Sequence, residues 1–190
     1  MNKWKVAFLV LTGALLIAVV AVVYFATADV KQAEISEPLG LEGNVLSVET
    51  TAKEFESIAK QYLSAAMNNS PLPVELVVED KIYLYSTMTV FNVDVPIQMD
   101  FNPVVSEGNI VLEQEKVHVG KIDIPPKTVL KLIHDAVNFP TWVTVLPNDE
   151  KIYVDLSRIN IASGSRVRAK EIDLPNDKIV LEVVIPNETN

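Results

Sequence analysis

The chain contains no cysteine. Disulfides, thiolate metal sites, thiol catalysis and a lipid-modified cysteine anchor are thereby excluded. Glycine is scarce, six in 190 residues. That leaves little material for a phosphate-cradling loop, and no such motif occurs. Histidine is limited to His118 and His134. There is no H-x-x-x-H pair and no His–carboxylate pair at ligand spacing, so both read as surface or helix-cap residues and no metal is expected. Positive charge is short as well. All 25 acidic residues but only 14 of the 16 basic ones follow residue 28, a net of −11 for that part. Such a surface repels nucleic acid and anionic headgroups, so no nucleic-acid partner is expected.

Charge of either sign is missing altogether from Val6 to Ala28, 23 residues. At about 1.5 Å per residue this run spans roughly 34 Å, enough for the hydrocarbon core of a bilayer. Lys3 and Lys5 flank its start, Asp29 its end, and Trp4 and Tyr24 suit the two interfaces. The basic flank places the amino terminus (residues 1–5) in the cytoplasm and everything after the helix outside the cell. The competing reading is a cleaved signal peptide with Ala26-Thr27-Ala28 as its small-residue site. The run exceeds the roughly 7–15 residues of a signal core, which favours a retained single-pass anchor at 6–28.

Residues 29–43 read as a linker, polar and broken by Pro38, Gly40 and Gly43. Residues 44–190 have the length of one domain. Thr51 and Glu54 form a capping box, and Phe55, Ile58, Ala59, Tyr62, Leu63 and Ala66 recur at helical spacing until Asn68-Asn69-Ser70-Pro71. Residues 74–78 are a short apolar strand. Over 81–101, Ile82, Leu84, Ser86, Met88 and Val90 alternate with polar residues, as do Val93, Val95, Ile97, Met99 and Phe101. A two-residue turn at Phe91-Asn92 pairs Val90 with Val93, Met88 with Val95, Leu84 with Met99 and Ile82 with Phe101. Both apolar sets then share one face. The other face carries Tyr83, Tyr85, Thr87, Asp94, Gln98 and Asp100, the signature of a ribbon with one side wet. A strand over 109–119 follows the Glu107-Gly108 turn. A second helix begins at Pro125-Pro126, with Val129, Leu130, Leu132, Ile133, Ala136 and Val137 on its apolar face, and ends at Pro140. Strands near 141–146 and 151–156 flank a turn at Pro147-Asn148-Asp149. A last hairpin, 166–174 and 178–185, turns at Pro175-Asn176-Asp177. The expected fold is α+β: a transmembrane helix, then a mainly antiparallel curved sheet of six or more strands with two amphipathic helices.

Catalytic chemistry finds no foothold. Ser163-Gly164-Ser165 lacks the G-x-S-x-G elbow and its strand-to-helix context. Glu113 and Glu115 lie two apart on one strand face, a pattern of solvated surface rather than an acid/base pair. Arg158, Arg166, Arg168 and Lys170 are the one basic cluster, matched by nearby acids such as Glu171 and Asp173. Tyr83 and Tyr85 could form a sugar platform, but cross-strand packing is the plainer reading. What remains is apolar shape. Leu84, Met88, Val95, Ile97 and Met99 form a long, methionine-containing face, and with Trp142 they are the candidate ligand-binding residues if the helices cover the sheet incompletely.

The sequence also resembles the YpmS family of membrane-anchored proteins from Bacillus and relatives. The matching features are the short basic start and long anchor, Ser47-Val48-Glu49-Thr50-Thr51-Ala52-Lys53-Glu54-Phe55, and Phe101-Asn102-Pro103-Val104-Val105 followed by Gly108-Asn109. They continue with Val119-Gly120, Ile124-Pro125, Pro140-Thr141-Trp142-Val143 with Pro147, Ile152-Tyr153-Val154 and Lys170-Glu171-Ile172-Asp173-Leu174, over nearly the whole chain. The resemblance implies a Gram-positive cell-envelope protein and supplies no activity, cofactor or functional residue. The expectation is therefore a non-enzymatic, cofactor-free outer domain that binds a lipid or other lipophilic ligand. The alternative is an accessory module for an envelope enzyme or secretion complex.

Overall fold

The computed structural model describes residues 3–29, 35, 39–40, 43–67, 73–90, 92–120, 122–159, 161 and 164–187. Two compact units are present, residues 1–31 and 32–190.

The first unit is helix α1 (Lys3–Thr27). Its apolar side chains point outward on all sides: Leu11 is 70% exposed and Ile17 72%. A helix that is apolar all round and packs on nothing needs a lipid environment. Its Lys3–Tyr24 stretch is long and apolar enough to cross a bilayer. The chain is membrane-anchored through this helix.

The second unit contains β1 (Asn44–Thr50), α2 (Ala52–Ala66), β2 (Val74–Val78), β3 (Ile82–Val90), β4 (Val93–Ser106), β5 (Asn109–Val119), β6 (Ile122–Asp123), α3 (Pro126–Ala136), β7 (Val143–Leu146), β8 (Lys151–Val154), β9 (Arg166–Asp173) and β10 (Lys178–Ile185). The fold is α+β, as the patterning predicts. The strands divide between two antiparallel sheets: one ordered β2-β3-β4-β5-β8-β7 with β6 beside β5, the other ordered β1-β10-β9. Strand β1 has no counterpart among the predicted elements. Its sequence shows no clean alternation, and its partner β10 lies near the other end of the chain.

The predicted hairpin register is the observed one, with Ile82 opposite Phe101, Leu84 opposite Met99, Met88 opposite Val95 and Val90 opposite Val93. Phe91 lies outside the described residues, as do 68–70 and Pro71; Asn92 takes φ 61°. The β4–β5 turn uses Glu107 and Gly108 at φ 51° and 79°, the two positive values that a tight hairpin of native twist requires. Pairing of β4 with β5 slips by one residue between Asp100 and Phe101, leaving Glu115 of β5 as the extra residue of a bulge that bends that strand.

Helix α2 opens with the complete capping box, Glu54 N donating to Thr51 Oγ1 at 3.2 Å and Thr51 N to Glu54 Oε2 at 3.2 Å. Helix α3 starts at Pro126, where a missing N–H costs nothing. Two predicted core positions turn outward: Ile58 is 51% exposed and Leu132 60%. At 3.6 residues per turn each lies on the flank of its helix's apolar stripe. One core joins both sheets and both helices, with Phe101, Leu130 and Ile179 all at 0% exposure.

The predicted linker 29–43 falls largely outside the described residues. Within it, Leu39 N donates to Ser157 Oγ at 3.1 Å, so the chain already touches the β-sheet domain there.

Candidate functional site

The long β3–β4 hairpin has two distinct chemical faces. Its apolar face looks toward the core. Helix α2 packs on β2 and α3 on β5 and β7, so the strands receiving helices flank β3 and β4 in the sheet order. Part of this face is sealed: Ile82 and Met99 are 3% exposed, Ile97 is 7% and Phe101 0%. On the same face Leu84, opposite Met99, and Met88 and Val95, paired nearer the turn, are only half-buried, as are Leu76 and Val119 on the adjoining strands. Half-buried apolar side chains thus run along this face beside the sealed residues.

The six predicted ligand residues are therefore not all together. Leu84, Met88, Val95, Ile97 and Met99 share the face, with Ile97 and Met99 inside the packed core. Trp142 is half-buried just before β7, and its carbonyl accepts from Asp155 N at 2.8 Å. Strands β5 and β8 lie between β7 and the hairpin, so Trp142 is remote from the other five.

The wet face holds a pocket of about 440 Å³, lined chiefly by residues of β2 to β5. Cross-strand register aligns Glu75, Tyr85, Gln98 and His118 in one row across four strands. Tyr83 stacks beside Tyr85, ring centroids 6.4 Å apart with planes 23° from parallel. The Tyr83 hydroxyl donates to Asp80 Oδ1 at 2.8 Å, and that bond, more than burial, pushes its pKa up to about 12. Gln98 Nε2 donates to Oδ1 of the buried Asp100 at 2.9 Å, which fixes the amide orientation. Alternation alone assigned Tyr85 and Gln98 to the wet face. It could not show that β2 and β5 bring Glu75 and His118 alongside.

The residues set aside on chemical grounds are occupied structurally. Glu113 pairs with Lys151 at 2.9 Å and Glu115 with Lys81. Three members of the basic cluster are paired: Arg158 Nε donates to Asp155 at 2.8 Å, Arg168 Nε to Glu182 at 2.6 Å, and Lys170 reaches Glu182 at 3.3 Å. These partners replace the expected Glu171 and Asp173; Glu171 is taken by Lys178 at 2.8 Å. His134 Nδ1 lies 3.0 Å from Asp135 in the last turn of α3, a helix-end histidine with its neighbour. Ser163 lies outside the described residues, and Gly164 turns with φ 74°. Among the described residues no group of three metal-ligating side chains converges.

A buried polar hub escaped the sequence reading. Asn109, 1% exposed, accepts from Leu156 N at 2.9 Å through Oδ1 and donates to the Tyr153 hydroxyl at 2.7 Å. Asp155, 3% exposed, accepts from Ser157 N at 3.0 Å and from Arg158. These bonds fasten the segment after β8 to the start of β5. Their role is architectural.

A protein of Bacillus subtilis (strain 168) described as "Uncharacterized protein YpmS" is 26% identical to this chain over 189 residues, covering 99% of the chain and all of the relative. No solved structure matches the chain. A family model described as "Uncharacterized protein conserved in bacteria (DUF2140)" matches residues 2–185, and the chain belongs to that family.

Proposed function

We propose that this protein is a non-enzymatic, membrane-tethered binding module of the cell envelope, with its outer domain beyond the cytoplasmic membrane. It holds a lipid or other lipophilic chain along the hairpin's apolar strip. One observation carries the reading: the half-buried state of Leu84, Met88 and Val95, on the same face as the buried Ile82, Ile97, Met99 and Phe101. An acyl chain laid along these side chains would complete their burial, at about 25 cal/mol per Å² of apolar surface removed from water. Met88 adds a flexible, polarizable contact suited to chains of varied shape. The tether supports the same reading. From Ala28 to Leu39, where the chain meets the domain, it reaches roughly 40 Å at full extension, which keeps the domain near a supply of lipid.

The test uses full-length protein in proteoliposomes containing a photoactivatable fatty-acyl lipid, with crosslinked peptides mapped by mass spectrometry. Labels on Leu84, Met88 and Val95 are expected, and Met88→Arg should remove most of them. Labels confined to α1 would overturn the reading.

A second reading, an accessory module for another envelope protein, is favoured by β1. Among the described residues this edge strand pairs only with β10, and it exposes Val45, Leu46 and Val48 at 46%, 55% and 45%. Free strand edges with apolar side chains accept a partner's strand. Photocrosslinkers at Val45 and Leu46 in native membranes should then trap one specific protein; random adducts would count against it.

A further inference from the structure

The pocket on the wet face draws most of its lining from that side of the sheet, with Val74, Ser86 and Ile97 also contributing, and its chemistry differs from that of the apolar strip. Its floor is the cross-strand row Glu75, Tyr85, Gln98 and His118. Neighbouring strands are about 4.8 Å apart, so four positions span about 14 Å. That is long enough for more than one pyranose ring. A volume of 440 Å³ lies within the range of small-ligand sites.

The shape of the floor favours a ligand with one apolar and one polar aspect. Tyr85 is 37% exposed and backed by the Tyr83 ring, so it presents an apolar surface that cannot readily swing away. A tyrosine ring offers an apolar body beside a polar hydroxyl. Around it stand side chains that both donate and accept: Gln98 with its amide held by Asp100, Thr87, and the Glu75 carboxylate as acceptor. Ser86 Oγ donates to Pro73 O at 2.7 Å and Gly120 N to Pro96 O at 2.9 Å, which tie the pocket rim in place. Groups held in this way lose little freedom when a ligand arrives.

Charge decides among polar ligands. Among the described lining residues there is one carboxylate, Glu75, and no lysine or arginine. Asp80 and Asp100 stand behind the tyrosines and Gln98. A phosphate-bearing polymer or headgroup would meet this negative field with no lining lysine or arginine to receive it. A neutral polyhydroxylated ring meets no such penalty. Its C–H face fits an aromatic surface, and its hydroxyls match the amide, hydroxyl and carboxylate groups.

We propose that this pocket is a saccharide subsite that takes a neutral sugar unit of a glycan chain, stacked on Tyr85 and hydrogen-bonded to Gln98, Thr87 and Glu75. The site is on the sheet face opposite the lipid strip and functions independently of it.

The experiment measures binding of full-length protein, held in a zwitterionic detergent free of sugar, to four neutral probes: chitotetraose, cellotetraose, maltotetraose and mannotetraose. Saturation-transfer NMR and calorimetry provide the readout, with poly(glycerol phosphate) as the anionic control. Saturable binding of at least one tetrasaccharide is expected, with no binding of the polyphosphate. Tyr85→Ala should weaken it about tenfold or more, and Tyr85→Phe, which keeps the ring, far less. Thr87→Arg, at an exposed strand position, should abolish sugar binding by filling the pocket while leaving photolipid labelling of Leu84, Met88 and Val95 unchanged. A panel with no binder, a preference for the polyphosphate, or sugar binding that survives both Tyr85→Ala and Thr87→Arg would overturn the proposal. None of these outcomes bears on the lipid reading.

Discussion

Gln114 is buried at 7% exposure on β5 opposite Phe101, and neither polar atom of its side chain meets a hydrogen-bond partner. An unsatisfied buried amide costs about 1–3 kcal/mol. Gln114→Leu, close in volume, should therefore raise stability by about 1–2 kcal/mol in urea unfolding with m unchanged. Gly43 carries the opposite constraint. A Cβ there would lie 2.1 Å from the Ile185 carbonyl oxygen, at a φ of 155°. Backbone cannot yield as a side-chain tip does. Gly43→Ala should part the start of β1 from β10 and lower stability by about 2 kcal/mol, with faster amide exchange over residues 44–47 as the local signature.

At the scale of elements, α2 depends on its ends. Thr51→Ala removes the acceptor for Glu54 N and should cost about 1 kcal/mol in denaturant unfolding. Glu56 then fixes the helix to the sheet, pairing with Lys60 at 2.7 Å and accepting from Val78 N at 2.7 Å. Those two contacts hold the Glu56 carboxyl below its ordinary 4.5, the Lys60 bond most strongly. Glu182 is lowered in the same way, first by Arg168 and then by Lys170, and Glu54 by the Thr51 N–H first. A carboxylate with a depressed folded-state pKa contributes stability that is present at neutral pH and lost as pH falls through its folded value. Tm should therefore drop as the pH is taken from about 5 to about 3. Glu182→Gln should start lower and fall less steeply over that window. Lys81, Lys151 and Lys178 are shifted upward by their glutamates, so their contribution persists until pH rises above 10.5.

At the scale of the whole molecule, the anchor holds the β-sheet domain at the membrane. Lys3 and Lys5 lie at the start of α1 and the acidic domain follows it. With the amino terminus inside, protease added to intact protoplasts should digest residues 32–190 and spare a tag fused before Met1. Digestion only after lysis would reverse the orientation. The intact mass of the membrane-associated protein tests retention of residues 1–28 against cleavage after Ala28.

Local patterning carried far. The charge-free run, the capping box, the hairpin register and the helix starting at Pro126 each depend on residues a few positions apart, where spacing alone decides which side chains can meet. The sequence therefore determined the membrane anchor, the α+β class and the two-faced character of residues 82–101. Tertiary structure decided the rest, because it depends on contacts between distant parts of the chain. It drew β1 from an unremarkable stretch to pair with β10, divided the strands into two sheets, and sealed Ile97 and Met99 while leaving Leu84, Met88 and Val95 half-open. It separated Trp142 from the hairpin by two strands and aligned Glu75 and His118 with Tyr85 and Gln98. A strand's alternation fixes its two faces, but only pairing with its neighbours fixes what each face holds.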